Sequence, residues 1–150
     1  MSPRARVAVA WLPSLAYMSL IWVVSSIEQP FDLSVVPFKD KGIHFVEYGV
    51  LAFLNARAAR RTWKDARWPW LAFVAAGSAF LWGYLDEIHQ AFVPGRNAAL
   101  SDVAANALGA LVAVALYLAI ERRFWRGPGE GLGSRRERAR SAGPEPTLRR

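Results

Sequence analysis

No cysteine occurs in the 150 residues, so the chain holds together without disulfides and offers no thiolate to a metal. Formal charge is missing over long stretches as well. Val7 to Ile27 runs 21 residues without one, and Trp68 to Leu85 and Val103 to Ile120 run 18 each. A soluble core of this size has no use for such blocks, whereas each approaches the roughly 20 residues that cross about 30 Å of hydrocarbon as a helix. No H-E-x-x-H spacing, nucleophile motif or internal repeat is present, and the periods in use are helical throughout. No cofactor is expected.

The charge that is present is unevenly placed. Net charge is +7, yet Arg57, Arg60, Arg61, Lys64 and Arg67 sit between the second and third apolar blocks, and nine of the 19 basic residues follow Ala119. Asp40, Asp86, Glu87 and Asp102 lie at the opposite ends of the blocks. This is the positive-inside pattern of a membrane protein and not a nucleic-acid-binding surface. It puts the N-terminus, the 57–67 segment and the tail in the cytoplasm, and the loops 28–41 and 92–101 outside. Arg4 and Arg6 ahead of an apolar run resemble a signal peptide, but the run is longer than such a region and Ser25-Ser26-Ile27 is a poor cleavage site. The first block is expected to stay as a helix.

The prediction is an all-α membrane protein, a bundle of four transmembrane helices with cytoplasmic N- and C-termini. Residues 1–121 form the transmembrane domain and 122–150 a disordered basic tail held to anionic lipid. Helix one, Val7 to Ser26, is an anchor carrying Pro13. The loop from Glu28 to Lys39 rests on the outer surface. Helix two begins near Asp40 and takes in the short run Gly42 to Ala56, and a basic connection follows from Arg57 to Arg67. Helix three spans Pro69 to Ala91. Helix four starts at Ser101 or Asp102, either of which can cap it.

Polar residues collect on particular faces of these helices. At 100° per residue, Asp40, His44, Glu47, Tyr48, Leu51 and Asn55 share an arc of about 100°. Lipid cannot satisfy such a stripe, since a carboxylate at mid-bilayer costs on the order of 2.5 to 3.5 kcal/mol, so it faces other helices or a wet pocket. Asp86, Glu87 and Gln90 share a similar arc, with His89 on its flank. Two adjacent carboxylates there need a proton or a cation partner. Arg96 is the nearest candidate and Lys41 the other. On helix four, Asp102, Asn106 and Gly109 lie together, and Ala105, Gly109 and Ala113 form a small-residue ridge that can serve packing within the chain or a homodimer.

Two stretches carry a resemblance. In DKGIHFVEYGVLAFL, residues Asp40, Lys41, His44, Tyr48 and Leu51 are similar to the DK-x-x-H-x-x-x-Y pattern of the VanZ-like family of small integral membrane proteins. In LDEIHQAFVPGRNAALSDVAANALG, residues Asp86, Glu87, Gln90, Pro94, Gly95, Arg96, Asp102, Asn106 and Gly109 resemble its DE-x-x-Q, P-G-R, D and N-x-x-G. The resemblance implies a multi-helix membrane protein of the bacterial cell envelope. The family takes its name from a protein associated with resistance to the lipid-tailed glycopeptide teicoplanin, and it supplies no settled reaction.

Three readings stand together. In the first, Asp40, Lys41, His44, Tyr48, Asp86, Glu87, Gln90, Arg96, Asp102 and Asn106 form an outward polar site for a lipid-linked wall precursor or an amphiphilic antibiotic, beside membrane lipids. Arg96 and Lys41 hold its anionic group. In the second, His44, Asp86 or Glu87 does acid-base chemistry on a lipid substrate, or Asp86, Glu87 and Asp102, joined by His44, hold a divalent cation. In the third, the same residues are a buried network that fixes helix register.

Overall fold

The computed structural model describes the backbone of residues 1–28 and 39–124 and their side chains, those of Lys39 and Asp40 excepted. The regular structure of these residues is helical: α1 (Pro3–Ser25), α2 (Lys39–Thr62), α3 (Trp68–Gln90) and α4 (Leu100–Phe124). At 1.5 Å per residue each is about 35 Å long, a bilayer's hydrocarbon thickness with a turn to spare. α1, α3 and α4 are long and apolar enough to cross a membrane. The expected loop across residues 29–38 and the expected tail beyond Phe124 lie outside the described residues. Contacts divide the chain into Met1–Ala119, which holds the first three helices and most of α4, and Ile120–Arg150, of which 120–124 continue as helix.

α1 starts before the apolar run does. The Ser2 hydroxyl accepts from the Ala5 amide at 3.2 Å and Pro3 occupies the first turn, so Arg4 and Arg6 ride on the helix. Pro13 is carried inside it. α2 departs most from expectation, because it continues through the arginines to Thr62 where a connection was expected from Arg57. Ala58 and Ala59 are fully buried there, alanine and arginine both favour helix, and Arg60 and Arg61 meet the negative end of the helix dipole. The end of an apolar run marks where lipid contact stops, not where backbone hydrogen bonding does. α4 begins at Leu100, so neither Ser101 nor Asp102 is its cap; Asp102 sits in the first turn, where a negative charge is favoured.

α2 is the least apolar helix and the central one. It packs against α1 and α3, and it meets α4 at glycine. A Cβ on Gly109 would overlap the Phe45 carbonyl oxygen, and one on Gly49 would stand 3.3 Å from the Gly109 carbonyl oxygen. The ridge expected to serve packing or a homodimer is therefore covered at Gly109 by α2 of its own chain. Ile43, Val46, Val50 and Phe53 form the one stripe of large apolar side chains that α2 turns outward. Tyr48, Leu51, Ala52 and Ala56 are buried among the neighbours.

The distribution of polarity is that of a protein solvated by lipid. Leu12, Phe73, Leu81 and Leu111 are each more than half exposed, while His44, Asn55, Asp86, Glu87, Gln90, Asp102 and Asn106 are buried. In water this arrangement would expose the grease and bury the charge. In a bilayer both are where solvation puts them.

Candidate functional site

Pairing along the helices places most of the buried polar residues at one end, Ser14 and Asn55 excepted. At the other end the Trp11 indole N–H donates to the Thr62 hydroxyl at 2.9 Å, joining the start of α1 to the end of α2. α1 and α3 therefore bring their C-terminal turns, and α2 and α4 their N-terminal turns, to the polar end. Side chains some 60 residues apart become neighbours there, as with Ser25 and Asp86 or Lys41 and Asp102.

Asp86 is the centre of the first cluster. Its Oδ1 accepts from the Ser25 hydroxyl at 2.5 Å, and its Oδ2 accepts from the Tyr48 hydroxyl at 3.0 Å and from Gln90 Nε2 at 2.8 Å. Three donors from α1, α2 and α3 thus meet one carboxylate that is 1% exposed. Gly83, one turn below, makes room for Tyr48: a Cβ there would approach the ring to 2.8 Å. Ser25 is a partner that sequence reasoning missed. Its signal lay in α1 itself, where Ala10, Ser14, Ile21 and Ser25, all buried, recur at helical spacing on one face.

The second cluster joins α2, α3 and α4. His44, Glu87 and Asp102 each offer a ligand atom, and these atoms lie within 4.8 Å of one another. All three residues are more than nine-tenths buried. Glu87 Oε1 accepts from the Ala99 amide at 2.6 Å, so this carboxylate sits against the N-terminus of α4, while its buried Oε2 has no hydrogen-bond partner. His44 Nδ1 lies 3.1 Å from Asn106 Oδ1, and Lys41 Nζ pairs with Asp102 Oδ1 at 3.1 Å. The carbonyl oxygen of Asn106 can only accept, so in this arrangement the His44 ring donates to it from Nδ1.

Not every expected residue joins these clusters as foreseen. Arg96, expected to partner the carboxylates, donates through Nη2 to the Val24 carbonyl at 2.9 Å. The last carbonyls of a helix lack intrahelical partners, and an arginine satisfies one. The turn that delivers Arg96 is Val93-Pro94-Gly95-Arg96, closed by the Arg96 amide on the Val93 carbonyl, with Gly95 at φ 77°. Of the residues expected to hold a cation, His44, Glu87 and Asp102 come together, while Asp86 turns to Ser25, Tyr48 and Gln90. The Asp40 side chain lies outside the described residues, although α2 includes its backbone.

His89, on the flank of the acidic arc, belongs to a third feature. Its ring stacks on Trp22 with centroids 4.1 Å apart and planes 17° from parallel, and Ser26 Oγ lies 2.9 Å from its Nε2. His89 and Trp22 line an open groove of about 670 Å³ between α1 and α3, walled further by Val23, Trp82, Leu85 and Ile88. The walls are apolar, and Ser26 and His89 lie one residue from Ser25 and two residues from Glu87 along their helices.

A family model described as VanZ/LLP1 matches residues 4–121, taking in all of the residues just described. The chain belongs to the VanZ/LLP1 family. No curated protein and no solved structure matches it. As a VanZ/LLP1 membrane protein it has two kinds of acid at one end of its helices. One is saturated by hydrogen bonds; the other has an unsatisfied oxygen and belongs to a cluster with an imidazole and a second carboxylate. The first arrangement can hold helices in register; the second can bind a cation or exchange a proton.

Proposed function

We propose that this VanZ/LLP1 protein binds an amphiphilic ligand of the cell envelope, a lipid-linked wall precursor or a lipid-tailed glycopeptide of the teicoplanin kind, at the polar end of its helices. The observation that carries this reading is the α1–α3 groove, walled by apolar side chains and lined also by His89, whose Nε2 lies 2.9 Å from Ser26 Oγ. A lipid tail lies along Trp22, Val23, Leu85 and Ile88, and its head reaches the polar residues above. Such a ligand enters sideways from the bilayer, which an open groove permits and a closed cavity would not. The basic residues Arg57, Arg60 and Arg61 at the far end put that end in the cytoplasm by the positive-inside bias, and the site and its ligand outside.

The test uses the full chain in lipid nanodiscs titrated with an undecaprenyl-linked wall precursor. Saturable protection against thermal unfolding is expected, and Ile88→Trp, which fills the groove from the lipid side, should weaken it at least about tenfold. Equal protection of the Ile88→Trp variant would remove the groove from the site.

A second reading is hydrolysis or transfer on the same class of lipid, with His44 and Glu87 in acid-base roles. It is favoured by the closeness of these side chains and by the unsatisfied Glu87 oxygen. Release of product from a labelled precursor by the purified protein would replace the binding reading with this one.

A further inference from the structure

We propose that His44, Glu87 and Asp102 form a binding site for a divalent transition-metal cation of the zinc or manganese kind, and that the Lys41 ammonium holds the site when the cation is away. Three residues from three helices offer an imidazole nitrogen and two carboxylate oxygens within 4.8 Å of one another. In a tetrahedral site with ligands about 2.1 Å from the metal, the ligand atoms stand about 3.4 Å apart. The trio therefore closes on a cation by side-chain movements of no more than about 1.4 Å in any pair, the difference between 4.8 and 3.4 Å.

Two further observations point to a cation. Glu87 is 6% exposed, and its Oε2 is buried without a hydrogen-bond partner, a costly state for an anionic oxygen that a metal relieves directly. His44 has the outer-shell partner that metal-binding histidines usually have, one ring nitrogen lying 3.1 Å from Asn106 Oδ1. An imidazole beside two carboxylates suits zinc or manganese better than magnesium or calcium, which take oxygen ligands. Three protein ligands leave a fourth position, which water or a ligand's anionic oxygen can fill.

Lys41 completes the device. Its Nζ pairs with Asp102 at 3.1 Å, while its side chain is 43% exposed against 3% for the aspartate. The lysine can swing out to solvent; the aspartate cannot follow. A cation entering the site takes over Asp102 and releases Lys41, so Lys41 and the metal compete for one carboxylate.

The experiment uses the full chain in detergent, stripped with chelator and titrated with Zn²⁺ or Mn²⁺ alone, with metal content and thermal unfolding as readouts. One equivalent should bind and raise the unfolding temperature. Glu87→Gln should weaken binding at least about 100-fold, and Asn106→Ala, which frees the His44 ring, about 10- to 100-fold. Lys41→Met should tighten it about tenfold by removing the competitor, an effect a merely structural ion pair would not produce. No stoichiometric binding, or Glu87→Gln binding like the parent, overturns the proposal. Should Glu87→Gln not fold, Lys41→Met decides alone: tighter binding supports the site, and unchanged or weaker binding overturns it. Because the probe is the metal alone, failure here leaves the lipid reading standing, and failure of lipid binding leaves this site standing.

Discussion

Asp86 and Glu87 are adjacent in the chain, lie on the same helix, are both buried, and are treated oppositely. Around Asp86 three donors from three helices close on both oxygens. Around Glu87 one backbone amide takes one oxygen, the other has no hydrogen-bond partner, and His44 and Asp102 stand close by. A turn of about 100° between neighbouring residues is enough to send one carboxylate toward α1 and α2 and the other toward α4. The difference separates holding the helices together from being ready to bind. A buried charge that is fully hydrogen-bonded has no capacity left for a ligand, whereas one with a vacant lone pair gives up stability to keep that capacity.

Asp86 and Glu87 should respond differently to substitution. The largest effect is expected at Asp86→Ala, which leaves the Ser25, Tyr48 and Gln90 donors without their acceptor and should cost about 4 kcal/mol, measured by denaturant unfolding in detergent. Asp86→Asn keeps one acceptor oxygen and should recover about half. Next comes Gly109→Ala, which forces α2 and α4 apart because its methyl group would occupy the place of the Phe45 carbonyl oxygen. Its expected cost is about 3 kcal/mol in the same assay. A loss below 1 kcal/mol would mean that α2 and α4 do not pack at this glycine.

Ser25→Ala, which removes one of the three donors to Asp86, should cost about 1 kcal/mol. Glu87→Gln sharpens the contrast from the other side. It keeps an oxygen for the Ala99 amide and gives the vacant position a donor, so stability should move by less than about 1 kcal/mol while metal binding is lost. If Glu87→Gln destabilised the protein as much as Asp86→Ala, Glu87 would be a second structural acid and the distinction would fall. The smallest change in stability, within about 0.5 kcal/mol, is expected for His89→Ala. Its effect should appear in lipid binding, read in nanodiscs by protection against unfolding.

Much of the fold was legible because lipid imposes a simple rule on sequence. Three uncharged blocks near 20 residues announce three of the helices, and the arcs of polar residues on the other positions announce which faces turn inward. Helix ends were less legible. α2 runs on through Arg57, Arg60 and Arg61 because its alanines are buried by tertiary packing, and no apolar pattern marks that. Partners were less legible still. Periodicity places Asp86, Glu87 and Gln90 on one arc, but it cannot say that Asp86 meets Ser25 across α1, nor that Arg96 goes to a helix carbonyl instead of a carboxylate. Those outcomes depend on helix rotation and separation, which side chains on other helices set.

By itself the sequence determined that the chain is helical, lipid-solvated, without disulfides, and polar at one end of its helices, because each of these follows from composition and local period. Only the tertiary structure decided which acid is saturated and which is open, since a hydrogen-bond partner some 60 residues away is chosen by the crossing of helices, not by spacing along any one of them. The close approach at Gly109 brings α4, and with it Asp102 and Asn106, against Lys41 and His44. Without that approach there would be polar residues at the helix ends but no cluster.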